Sequence, residues 1–239
     1  MWLAVALAVF AISPALNAEP VPLGHNMDFE DPMDYNPAGI GGGGGDLFTW
    51  RSDGTAFVSQ GPAIAGTETI KPYHGGQMMQ FTYDIDPRCS NCDMAQDVDL
   101  KPYTNSIAVS NVTFHFDFRY NRIAEVMPAP LPPVVQTMIF YKVIFMNTND
   151  DVVANFGTEP DVDAPLADND PVTWEQAALN GTVPPDAVKA ELRISWHCNV
   201  LCSGTGHLYG HFADDVHFTM DLPPVRPVIP QTGFVLELK

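Results

Sequence analysis

Val112-Thr113-Phe114-His115-Phe116-Asp117-Phe118-Arg119-Tyr120 is the stretch on which the fold turns. Val112, Phe114, Phe116 and Phe118 fall on one side of an extended chain. Thr113, His115, Asp117 and Arg119 fall on the other. Successive side chains of a strand point to opposite faces, so this period of two marks a strand with one face in a core and one toward water. The pattern predicts a single strand over residues 106–120.

Further strand signals lie on either side. Residues 47–50 and 55–59 are short candidates, and 77–83 follows a Gly75-Gly76 turn. Residues 137–147 are almost continuously apolar, which predicts a strand buried on both faces. Residues 187–196 alternate through Val188, Ala190, Leu192, Ile194 and Trp196, and 215–222 through Val216, Phe218 and Met220. Between them lie a proline-rich loop at 127–133 and an acidic loop at 155–171, and no segment carries a convincing helical period. Many short strands separated by turns predict an all-β chain folded as a β-sandwich or jelly roll. The sandwich is expected over 19–222, with a Pro-rich tail at 223–239.

Composition agrees. Gly 18 and Pro 22 are natural for a turn-rich β protein, and 46% hydrophobic residues are ample for a core. The 11 Lys+Arg stand against 29 Asp+Glu, a net charge of −18 in 239 residues. Such a chain has no general basic surface for nucleic acid or an anionic membrane. Much of the negative charge sits in loops such as 150–170, so neutral ligands are expected ahead of anionic ones.

Residues 2–12 are almost wholly apolar and are followed by Ser13-Pro14-Ala15-Leu16-Asn17-Ala18. The run is too short to span a bilayer and has the form of an export signal ending at Ala18. A secreted or periplasmic location without membrane insertion follows. In an oxidising compartment the even set Cys89, Cys92, Cys198 and Cys202 reads as two disulfides, with all pairings open.

The sequence also holds residues suited to other chemistry. His197, Cys198, Cys202, His207 and His211 form H-C-x3-C-x4-H-x3-H, a soft donor set suited to Zn²⁺ or copper. Phe212 stands where a blue-copper methionine would be needed, and a disulfide with scattered histidines is the plainer reading. Cys89-Ser90-Asn91-Cys92 lacks the strand and helix of a thioredoxin site. The glycine run at 39–45 lacks the Lys-Ser/Thr of a phosphate loop, and neither G-x-S-x-G nor H-E-x-x-H occurs. Catalysis is therefore unsupported. A lyase set of Tyr120, His115 and Arg119 fails because Tyr120 points away from the other two.

Asn26-Met27-Asp28-Phe29-Glu30 resembles the opening "N-x-x-F-E" of carbohydrate-binding modules of the family 4/9/22 type, which have the galactose-binding-domain-like jelly-roll fold. Trp50 matches a strand tryptophan of such modules. Val172-Thr173-Trp174, Val183-Pro184-Pro185-Asp186-Ala187 and Glu191-Leu192-Arg193-Ile194 resemble their later part. Phe212-Ala213-Asp214-Asp215-Val216-His217-Phe218 resembles their closing "DDV" strand. The resemblance spans about residues 24–222 and implies a structural Ca²⁺ ion held by Glu30 and Asp215, with Asp28 as a third ligand. The alternative is that these carboxylates serve as caps without an ion. A sugar site is expected among Tyr73 and Tyr103, each after a Lys-Pro pair, and the polar face His115, Asp117 and Arg119. The resemblance implies a secreted, non-catalytic carbohydrate-binding module. A structural or adhesion domain of the same fold is the alternative, and a polysaccharide-active enzyme the third reading.

Overall fold

A computed structural model describes residues 19–31, 35–36, 49–53, 55–59, 63–65, 68–83, 91–121, 137–158, 172–198 and 208–223. The expected leader at 1–18, the glycine run, the loop at 127–133, most of the acidic loop and nearly all of the tail lie outside them.

In chain order the strands are β1 (Glu19–Leu23), β2 (Tyr35–Asn36), β3 (Trp50–Asp53), β4 (Thr55–Ser59), β5 (Ala63–Ala65), β6 (Glu68–Ile70), β7 (Gln77–Tyr83) and β8 (Asn91–Asp99). They continue as β9 (Thr113–Asn121), β10 (Thr137–Met146), β11 (Val152–Gly157), β12 (Glu175–Thr182), β13 (Lys189–Cys198) and β14 (Leu208–Leu222). One sheet has the order β12-β9-β14-β7-β4, with β1 also paired to β14. The other has the order β11-β10-β13-β8-β3-β2. β5 and β6 form a separate hairpin. The chain is an all-β sandwich.

The alternation at 112–120 builds the core. Phe114, Phe116, Phe118 and Tyr120 are buried from β9 and meet Met94 and Val98 of β8, Val143 and Phe145 of β10, and Leu192 and Ile194 of β13. Edge-on contacts cross the interface, with Phe114 at 5.2 Å from Phe145 and Phe118 at 5.5 Å from Tyr141 between centroids. Such offset aromatic pairs add to area burial. Gly181 lies opposite Phe114 on β12 and leaves room for its ring. A Cβ there would stand 2.6 Å from Phe114 and 2.8 Å from Phe156.

Two expectations are corrected. Residues 106–109 are not strand: Lys101–Tyr103 make a 3₁₀ turn that leads into a short helix, α1 (Thr104–Val109). Pro102 occupies the first turn, where its missing N–H costs nothing. Only Ile107 of α1 is buried, so four residues of apparent alternation had a single inward position. β10 is also less symmetric than its composition suggests. Ile139, Val143 and Phe145 face the core; on the opposite phase Phe140 is buried, whereas Lys142, Ile144 and Met146 are half-covered. Both neighbours of β10 are antiparallel, an arrangement compatible with one solvated face.

β14 is the spine of the first sheet. On one side it pairs with β9. On the other, residues 208–213 pair with β7 and residues 218–222 with β1. The ladder with β9 shifts register between Asp214 and His217, and Asp215 has φ of 50°. This bulge lies where the edge changes partner, and bulges re-aim side chains.

Candidate functional site

Two carboxylates hold the turn before β7 from opposite ends. The Tyr73 and His74 N–H groups donate to Asp214 Oδ2 at 2.7 and 3.0 Å, and Asp215 N–H donates to Asp214 Oδ1 at 2.7 Å. Gly76 and Gln77 N–H donate to Glu30 Oε1 at 2.8 and 3.0 Å, and Gln77 Nε2 donates to the Glu30 carbonyl at 2.8 Å. Gly75 has φ of 63°, and a Cβ on it would overlap the Glu30 carboxylate. The glycine is thus required both by backbone conformation and by close approach. Asp214 is fully buried. Burial pushes its carboxyl from 3.8 up to about 6, against the lowering effect of the three N–H groups, and the Asp215 charge adds to the rise.

The clasped turn presents Tyr73, which is 46% exposed. The Arg119 guanidinium lies over its ring at 4.7 Å. Trp174 stands beside it at 6.2 Å between centroids, held by donation from its Nε1 to the Lys71 carbonyl at 3.2 Å. From this aromatic corner a polar strip runs along the outer face of β12, β9 and β14. His115 Nε2 is 2.6 Å from Asp117 Oδ2, and its Nδ1 contacts Asn180 Oδ1. Gln176 Nε2 donates to Asp117 Oδ1 at 3.2 Å, and His217 bridges Asp117 and Asp215 at 3.4 Å to each. Of the expected ligand residues, Tyr73, His115, Asp117 and Arg119 share this region. Tyr103 does not join them. It ends the 3₁₀ turn after β8 of the other sheet and packs half-buried against the core.

The outer face of the second sheet carries a cluster the sequence reading missed. Asp97 and Glu191 are direct partners across β8 and β13. Like charges directly opposite repel, and Arg51 relieves them by pairing with Asp97 at 2.7 Å and Glu191 at 3.4 Å. Arg193 adds two bonds to Glu191 Oε1, at 3.0 and 2.6 Å. Arg51 and Glu191 are buried. Burial raises the Asp97 pKa, against the opposing pull of Arg51. Asp97, Glu191 and Arg193 lie in the polar phase of their strands, but their meeting with Arg51 is set by the register between strands distant in sequence.

The expected cation ligands are placed as follows. Asp28 and Asp215 line one cavity of about 520 Å³ between the 22–28 segment and residues 215–219 of β14. Glu30 is not in its wall, and one of its carboxylate oxygens is taken by backbone N–H groups. Among the described residues no group of three His, Cys, Asp or Glu side chains is arranged to hold a metal ion. Two carboxylates suit Ca²⁺ only if carbonyls and water complete about six to eight oxygens. Cys89, Cys202 and His207 lie outside the described residues, as do the side chains of Cys92, His197, Cys198 and His211. The backbone register sets Cys92 opposite Trp196, two residues before Cys198, so the two cysteine segments approach the same end of the β8–β13 ladder.

No family model and no curated protein matches the chain. Similar solved structures are mostly carbohydrate-binding modules of β-sandwich fold. One carbohydrate-binding module of the β-sandwich superfamily is 16% identical over 83% of this chain and 61% of its own, with a TM-score of 0.36. A family 35 carbohydrate-binding module from Clostridium thermocellum is 12% identical over 72% of this chain and 90% of its own, with a TM-score of 0.33. The enzymatically active domain of a bacteriophage CBA120 tailspike protein is 14% identical over 87% of this chain, with a TM-score of 0.44. The chain spans 22% of that domain's length.

Proposed function

We propose that the chain is a secreted, non-catalytic carbohydrate-binding module. The observation that carries the reading is the corner where exposed Tyr73 stands beside Trp174 and Arg119, continuous with the His115–Asp117 strip. An aromatic ring stacks on the C–H face of a sugar while neighbouring amide, imidazole and carboxylate groups read its hydroxyls. The short leader supports secretion, and Arg119 is the cation nearest the ring. Titration against neutral glucan, xylan and galactan oligosaccharides tests this. Saturable binding that falls at least about tenfold in Tyr73→Ala, roughly 1.4 kcal/mol, is expected. A blank panel overturns the reading.

The alternative, a structural or adhesion domain, draws support from the strip itself. Asp117 is already bonded to Gln176, His115 and His217, so the strip needs no ligand to satisfy it.

The Ca²⁺ ion is part of the proposal, with Asp28 and Asp215 as its side-chain donors. A fall in melting temperature in EDTA, restored by Ca²⁺ but not Mg²⁺, is the expected result. The four cysteines are proposed as two disulfides. Any free thiol in the denatured, unreduced protein overturns that.

A further inference from the structure

Arg119 is placed unlike the other described arginines. Arg51 and Arg193 are paired with carboxylates. Among the described residues Arg119 has no ion-pair or hydrogen-bond partner; its guanidinium is stacked on the Tyr73 ring, at 4.7 Å. The carboxylates around it are committed to other donors. Asp214, opposite it on β14, is bound by three backbone N–H groups, and Asp117, two residues back on β9, by His115, Gln176 and His217. Stacking uses the flat face of a guanidinium and leaves its in-plane N–H donors open. The chain has 29 Asp+Glu against 11 Lys+Arg, yet this half-buried arginine is held off all the described ones. Exposed Lys71 stands at the same corner, its carbonyl bonded to Trp174 Nε1.

We infer that Arg119 makes the Tyr73 corner selective for a sugar that carries a carboxylate, a uronic acid unit whose two carboxylate oxygens take paired guanidinium N–H groups while its ring lies beside Tyr73. The saccharide part of the inference rests on the carbohydrate-binding reading; the acid part rests on the open guanidinium. The planar fork matches a carboxylate through two parallel bonds, and such charge-assisted bonds are about twice as strong as neutral ones. The chain-wide charge of −18 favours neutral ligands at long range, but salt screens it beyond roughly 8 Å, whereas the guanidinium touches the carboxylate it reads.

Calorimetric titration at about pH 7, where uronate and guanidinium are both charged, tests this. EDTA is present to remove bridging cations. The probes are a galacturonate oligosaccharide and a xylo-oligosaccharide bearing a glucuronate branch, each beside its carboxyl-reduced, neutral counterpart. An acidic probe is expected to bind the unmutated protein at least about tenfold more tightly than its reduced counterpart. The members of each pair differ only at the carboxyl group, so this comparison depends on no variant folding. Arg119→Gln, on the outer face of β9, is expected to abolish the preference and leave the binding of the neutral counterpart. A preference of about tenfold that survives in Arg119→Gln overturns the inference. If the reduced probes bind and the acidic ones bind no more tightly, this inference fails alone; if no probe binds, the carbohydrate-binding reading fails with it.

Discussion

Gly75 and Glu30 touch across 45 residues of sequence and should behave as one energetic unit. Glu30 Oε1 accepts two backbone N–H groups, at 2.8 and 3.0 Å, and a methyl group on Gly75 would occupy the space of that carboxylate. Hydrogen bonds to a charged group contribute about 1.5 kcal/mol each at the lower end of their range. An alanine held at the left-handed φ of 63° adds about 1 kcal/mol of backbone strain. Gly75→Ala should therefore cost about 4 kcal/mol, of which about 3 is the displaced carboxylate. Glu30→Ala should itself cost about 3 kcal/mol. In the double variant the displacement has nothing left to remove, so only about 1 kcal/mol of strain is added to the Glu30→Ala loss. The coupling energy is then about 3 kcal/mol, well above the roughly 0.5 kcal/mol scatter of independent sites. Urea denaturation of the four proteins in EDTA, with matched m-values, measures it. Additive losses would refute the claim that Glu30 holds this turn through those two N–H groups.

Three other outcomes follow from the described contacts. Asp214 has its pKa raised in the fold from 3.8 to about 6, so its ionisation disfavours the folded state. Relative to Asp214→Asn, the unmutated protein should lose up to about 3 kcal/mol as pH rises from below 4 to above 6, and an opposite slope in EDTA contradicts the burial argument. Arg51→Ala leaves Asp97 and Glu191 facing each other without the bridge and should destabilise by about 3–5 kcal/mol, least at acid pH where a carboxyl can take a proton. A loss under about 1 kcal/mol at neutral pH would show that the bridge is dispensable. Gly181→Ala drives a methyl group against Phe114 and Phe156 and should cost about 1–3 kcal/mol by thermal or urea unfolding, with no loss expected only if both rings can move aside.

The core was legible because its rule is local. Each second residue from Val112 to Tyr120 is large and apolar, and all of them are buried. The polar phase of the same strand, His115, Asp117 and Arg119, was legible for the same reason. What escaped was set by contacts distant in sequence. Arg51 meets Asp97 and Glu191 across separations of 46 and 140 residues, and no period in one strand announces it. Asp214 escaped for a different reason. In an unbroken strand Asp215 and Asp214 simply take opposite faces, but the bulge between 214 and 217 breaks the phase. It gives the buried, N–H-binding role to Asp214 and leaves Asp215 on the cavity wall. Lys-Pro-Tyr occurs twice, at 71–73 and 101–103. The first tyrosine is held out by Asp214; the second is folded back by a 3₁₀ turn, a difference that three identical residues cannot encode.

The partner-switching of β14 also bears on the order of events in folding. Glu19 pairs with Leu222, β7 with residues 208–213 and β9 with residues 212–221, so three strands wait for one that is synthesised after all of them. Before it arrives, β1, β7 and β9 each lack a neighbour, and the Glu30 and Asp214 ends of the 73–77 turn cannot both be in place. Loop closure over such spans must precede the pairing that rewards it, which makes such topologies slow to fold. A nascent chain stopped short of residue 208 would present open strand edges, the surfaces on which β proteins associate. The single longest strand thus makes completion of the first sheet a late event on the ribosome.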